Sequence, residues 1–143
     1  MKVNFKLLSE TASLPAYSRE GDACLDIRSD ENAVIKAKSF GIVGTGVAVE
    51  APSGFEMQVR ARSGLAAKKG IGLVNGIGTI DEDYRGEICV GLINHSKVDF
   101  KIQRGDRIAQ MAIMEVLKPE ILLSDDLSET SRAEGGFGST GVK

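Results

Sequence analysis

The residues best suited to chemistry lie in one turn-rich stretch, Asn75-Gly76-Ile77-Gly78-Thr79-Ile80-Asp81-Glu82-Asp83-Tyr84-Arg85-Gly86. Backbone groups freed by Gly76 and Gly78 can read a base edge, the Asp81 carboxylate can hold a water, and the Tyr84 ring can pack on a sugar. A second segment, Arg62-Ser63-Gly64-Leu65-Ala66, puts a guanidinium and a hydroxyl at a helix start, where N–H donors, dipole and charge converge on an anion. A third, Gly105-Asp106-Arg107-Ile108-Ala109-Gln110, carries a turn into a strand with Gln110 among apolar residues. In the glycine-rich C-terminal stretch, Arg132 and Phe137 are a cation and a lone aromatic with no core to join, the pattern of a lid that orders over a ligand. No Gly-Lys-Ser/Thr follows those glycines, which excludes a P-loop. Each segment taken alone also reads as plain structure: an acidic turn, a capped helix, a strand start whose amide meets a backbone partner, a disordered tail.

Short strands must position these residues. Phe55 to Arg62 alternates strictly, placing its apolar residues on one face, and Val98 to Gln103 repeats the pattern. Ile88 to Ile93 is almost continuously apolar and reads as a strand buried on both faces. Further β-rich runs cover Ala33 to Ile35, Ile42 to Val49 and Ile108 to Leu117, with turns at 94–97 and 104–106 and a hairpin bearing Asp81. Strands of this length separated by turn signals predict a sandwich or barrel. One helix is expected over Ser63 to Lys69, with Ser63 as its N-cap, Lys68 and Lys69 at its negative end and Gly70 closing it. From Asp125 the chain turns acidic and then glycine-rich, as a flexible tail does.

At 143 residues the chain suits a single domain and one kind of site. Eighteen basic residues against twenty acidic ones give a net charge of -2, so no overall positive field draws the protein to nucleic acid and any phosphate must be held locally. Cys24 and Cys89 lack CxxC spacing, which favours packed, reduced thiols over a disulfide or a zinc site. The start, MKVNFKLLSE, has no signal-peptide pattern and no apolar run is long enough for a membrane span, so the expected location is cytoplasmic.

Taken together and in order, five segments resemble the motifs of the trimeric dUTPases: Ala23 to Ser29, Arg62 to Ala66, Gly78 to Gly86, Gly105 to Gln110, and Arg132 to Gly141. The resemblance covers nearly the whole chain. It implies a jelly-roll-like all-β fold with one short helix and a flexible tail, a core over 1–124 and a mobile arm over 125–143. It also implies a homotrimer whose active sites draw on several subunits. The activity implied is hydrolysis of dUTP to dUMP and pyrophosphate with Mg2+, which keeps uracil out of DNA and supplies dUMP for thymidylate synthesis.

By the same resemblance Asp81 positions the attacking water and Asp26 contacts magnesium through water. Arg62, Ser63, Gly64 and Gln110 hold the triphosphate, while Asn75, Gly78, Thr79 and Ile80 read uracil and Tyr84 stacks on deoxyribose. From the tail, Arg132, Phe137, Gly138, Ser139 and Thr140 close over phosphates and base. The chain departs from the family pattern at Cys24 and Ala133, where glycine is usual. Two alternatives stay open at this point: a dCTP deaminase of the same fold, and a non-catalytic nucleotide-binding β-sandwich.

Overall fold

The computed structural model describes residues 1–136, an all-β chain with one short helix. Its strands are β1 (Asn4–Leu7), β2 (Leu25–Arg28), β3 (Ala33–Ile35), β4 (Phe40–Gly44), β5 (Val47–Glu50), β6 (Phe55–Arg60), β7 (Ile71–Leu73), β8 (Ile77–Ile80), β9 (Cys89–Asn94), β10 (Phe100–Ile102) and β11 (Arg107–Glu115), with α1 (Ser63–Lys69) between β6 and β7. Every pairing is antiparallel. A four-stranded sheet runs β2-β11-β6-β8, a three-stranded sheet runs β4-β9-β7, and β1-β5 and β3-β10 form two-stranded ribbons.

The alternation of β6 buries Met57 and Val59 and turns Glu56, Gln58 and Arg60 away from them. The adjoining β11 carries an irregularity between Arg107 and Ala109 in its pairing with β2, and Ile108 and Ala109 are both buried there, as a bulge allows. These residues join Ile27, Val43, Val47, Val90, Leu92 and Met111 in one core shared by the sheets. No helix among the described residues is long and apolar enough to cross a membrane.

Several local expectations are corrected. The run from Ile42 to Val49 breaks into β4 and β5 at Thr45-Gly46, because Gly46 takes φ +64 and packs where a Cβ would sit 2.6 Å from Asp30 Oδ2. The supposedly double-buried strand β9 alternates instead: Val90 and Leu92 enter the core, while Cys89 is exposed. The outward side of its sheet is open, with Phe40 and Ile42 on neighbouring β4 66% and 72% exposed. Asp81 does not sit on a hairpin between adjacent strands: β8 pairs with β6 and β9 with β4 and β7, so the chain changes sheets at 74–76 and again at 81–88. The helix has the expected limits, and Gly70 ends it at φ +67, but its N-cap is Arg62 and Ser63 is already helical. Among the described residues the last strand ends at Glu115, two residues before the expected Leu117.

Candidate active site

The chemically equipped residues gather at two places. The first is a pocket of about 270 Å³ lined by Asn75, Gly78, Thr79, Ile80, Asp81 and Tyr84, with Val59, Ile88, Val90 and Cys89 among its other walls. It forms because β8 hydrogen-bonds to β6 while β9 belongs to the other sheet, leaving a gap between them that the loop from Asp81 to Glu87 overhangs. That loop is tied at several points. The Gly54 N–H donates to Glu82 Oε2 (2.9 Å), Arg85 donates to the carbonyls of Glu82 and Tyr84 (2.6 and 3.0 Å) and pairs with Glu50 (3.5 Å), and the Tyr84 hydroxyl donates to the Glu87 carbonyl (3.0 Å). Asp81 is exposed at its edge, open to water and ligand. Although residue 89 is exposed, partial desolvation of its thiol, with the charges of Glu87 and Glu31, pushes the Cys89 thiol up, so the pocket wall there is a neutral S–H.

The second place is an open cleft of about 640 Å³ lined by Asp26, Arg62, Ser63, Gly64 and Gln110, together with Ser18, Arg19, Asp22, Cys24 and Arg107. The strand ladder sets its floor: Asp26 faces Gln110, and Gln110 faces Arg60. Gln110 donates one amide hydrogen to the Ala61 carbonyl (3.0 Å), which leaves its second free for a ligand. Asp26 is held by three partners: Ser18 and Arg107 (3.0 Å) on Oδ2 and Arg62 Nε (3.3 Å) on Oδ1. Burial raises its pKa, but hydrogen bonds from Ser18 and Arg107 and the charges of Arg62 and Arg107 outweigh that, so the carboxyl is held below its ordinary range and ionised. Arg62 also donates to the Arg107 carbonyl (2.9 Å), so Arg107 fixes Asp26 with its side chain and Arg62 with its backbone.

Three arginines against two aspartates leave this cleft net positive, as an anion site requires. Asp26 Oδ2 accepts hydrogen bonds from Ser18 and Arg107, whereas Oδ1 carries only the Arg62 ion pair and keeps an open acceptor position. That single position suits a water carried by a hard cation; among the described residues no group of three or more metal-binding side chains could enclose one.

Both places are built, and they are apart. Asp26, Gln110, Arg60 and Ile77 form one row across the four-stranded sheet, from edge strand to edge strand. Asp81 lies four residues beyond Ile77, so three strand spacings sideways and four residues along put it about 20 Å from Asp26. Arg132 lines neither place; it is exposed and donates to the Gly135 carbonyl (2.7 Å) within its own turn. Ala133, in that turn, takes φ +43, the left-handed backbone for which glycine is suited. Cys24, the other departure, lines the cleft. Phe137, Gly138, Ser139 and Thr140 lie outside the described residues. Sequence reasoning assigned no role to Ser18 or Arg107, although Arg107 stands inside a motif it used.

Comparison with known proteins places this arrangement. The dUTPase family model matches residues 10–141. A deoxyuridine 5'-triphosphate nucleotidohydrolase of Alkaliphilus metalliredigens is 50% identical over 141 residues, covering 99% of this chain and 98% of its own. A solved structure of the Staphylococcus bacteriophage 80alpha dUTPase with dUPNHPP superposes with a TM-score of 0.92 at 28% identity, covering 99% of both chains. A dUTPase from phage phi11 of S. aureus, described with a structural Mg(II) ion, is 25% identical with a TM-score of 0.82, covering 88% of this chain and 98% of that one. A family model spanning nearly the whole sequence and a relative sharing half its residues establish that the chain belongs to the dUTPase family.

Proposed function

We propose that the protein hydrolyses dUTP to dUMP and pyrophosphate, in the cytoplasm and as a homotrimer whose sites are shared between chains. The observation that carries this reading is the pocket itself: Asn75, Gly78, Thr79, Ile80, Asp81 and Tyr84, singled out by type and order, line one cavity of nucleoside size. In it the β8 backbone pairs with the uracil edge, Tyr84 covers the deoxyribose where a 2′-hydroxyl would intrude, and Asp81 orients a water and takes its proton. The water attacks in line, and the bond to the departing pyrophosphate breaks. Arg62, Ser63, Gly64 and Gln110 hold the triphosphate and offset its charge, and Arg132 and Phe137 close over it from the tail. Asp26 would hold magnesium through a water at its open position, and the bound ion would supply neutralisation of charge on the leaving pyrophosphate.

Distance supports sharing. A water on Asp81 must come within about 3.5 Å of the phosphorus it attacks, and the cleft of the same chain is about 20 Å away. A neighbour's cleft brought against the pocket completes the site. The exposed apolar residues Leu117, Ile121, Leu122, Leu123 and Leu127, beyond the last strand, supply surface for such a neighbour. The test is pyrophosphate release from a panel of nucleoside triphosphates with magnesium. Turnover confined to dUTP is expected; equal turnover of dCTP, dTTP and UTP, or ammonia release from dCTP, overturns the reading.

A further inference from the structure

We infer that Gly86 is the seat of the Tyr84 ring and, through it, sets discrimination between deoxyribose and ribose. The inference rests on the proposal that Tyr84 covers the sugar. A Cβ built at residue 86 would collide with the Tyr84 hydroxyl oxygen, lie 2.6 Å from Cζ and 3.1 Å from Cε2, and these three Tyr84 atoms are its nearest neighbours. Carbon atoms in contact stand about 3.5–4.0 Å apart, so the ring occupies the volume of the missing side chain. Gly86 is not among the glycines with positive φ, so its backbone does not itself demand glycine.

The ring cannot simply drift away. Its hydroxyl donates to the Glu87 carbonyl (3.0 Å), and residue 87 is pinned in turn, since the Gly46 N–H donates to Glu87 Oε1 (2.8 Å) at the turn between β4 and β5. A fixed carbonyl and a gap one side chain wide together define where Tyr84 stands in the pocket. Gly86 is thus a positioning residue that acts on substrate only through its neighbour.

The test is a double-mutant cycle of Gly86→Ala and Tyr84→Ala, read as kcat and KM for dUTP and UTP with thermal unfolding as control. A methyl at 86 forces the ring to move by about 1 Å, and misplacement on that scale costs up to about 10²-fold. Gly86→Ala is therefore expected to raise KM for dUTP and cut the dUTP/UTP preference by about tenfold or more, with a smaller change in kcat and little in Tm. In the Tyr84→Ala background the same substitution is expected to change nothing further. Preference within about twofold of wild type in Gly86→Ala, with preference lost in Tyr84→Ala, overturns the inference and leaves the sugar reading standing. An undiminished effect of Gly86→Ala without the ring also overturns it. Unchanged preference in Tyr84→Ala overturns the sugar reading and this inference together. Should Gly86→Ala alone fail to fold, a folded double variant supports the inference, and a double variant that also fails to fold overturns it.

Discussion

Asp81 and Arg62 serve different sites if each chain's pocket and cleft are too far apart to cooperate, and mixing two inactive variants measures this directly. Asp81→Asn spoils the pocket and leaves the cleft; Arg62→Gln weakens the cleft and leaves the pocket. If the protein is the proposed trimer, co-refolding the two in equal amounts gives mixed rings. Each site then takes its pocket from one chain and its cleft from another. The pocket is intact in half of the draws and the cleft in half, so about a quarter of sites are whole in a closed ring. Pyrophosphate release should therefore return to about a quarter of the wild-type rate, above the sum of the two variants refolded alone. Varying the mixing ratio should trace the product of the two fractions, with its maximum at equal amounts. If each chain completed its own site, every site would carry a lesion at any ratio. Activity no higher than the sum of the separate variants, with mixed oligomers verified by differently tagged chains, would refute the 20 Å argument.

Alone, Asp81→Asn should nearly abolish turnover while dUTP affinity stays within a few-fold, because the amide keeps the shape but accepts no proton; turnover near wild type removes Asp81 from the mechanism. Truncation before Arg132 should leave a folded oligomer of much lower activity, since among the described residues the last strand ends at Glu115; circular dichroism showing an unfolded chain would count against a lid. Asp26 has its pKa lowered in the fold, so it contributes stability that is present above the ordinary carboxylate value of 3.8 and lost as pH falls through the lower folded value. Thermal stability should accordingly fall on acidification through that window, and Asp26→Asn should flatten that part of the profile. At Ala133 the left-handed backbone costs about 1–2 kcal/mol and glycine's chain entropy about 0.5–1, so Ala133→Gly should raise kcat/KM by no more than about tenfold. A loss would show that this turn is not part of the active form.

Local features were readable from residue order because they depend on neighbours in the chain. The alternation at 55–60 reports which side chains of β6 are buried, and the limits of α1 follow from helix-forming residues stopped by Gly70. The acid, the tyrosine and the arginine at 62 were identified by type and spacing, and the structure lines two cavities with them. The apolar run of β9 misled because composition cannot say whether a second layer covers a face; the outer side of its sheet is open in this chain.

What only the tertiary structure decided concerns partners distant in sequence. Ser18 and Arg107 hold Asp26 from 8 and 81 positions away, and nothing in the local pattern of either residue announces this. Gly86 looks like any turn glycine until the Tyr84 ring is seen in the space its side chain would need. Adjacent β7 and β8 enter different sheets, which opens the pocket. The motifs therefore specify which groups the chemistry needs, whereas the distance that separates them within one chain comes from strand pairing. Periodicity encodes which face of a strand is buried and not which strand lies beside it, so the sheet order that puts Asp26 and Asp81 about 20 Å apart exists only in the folded chain.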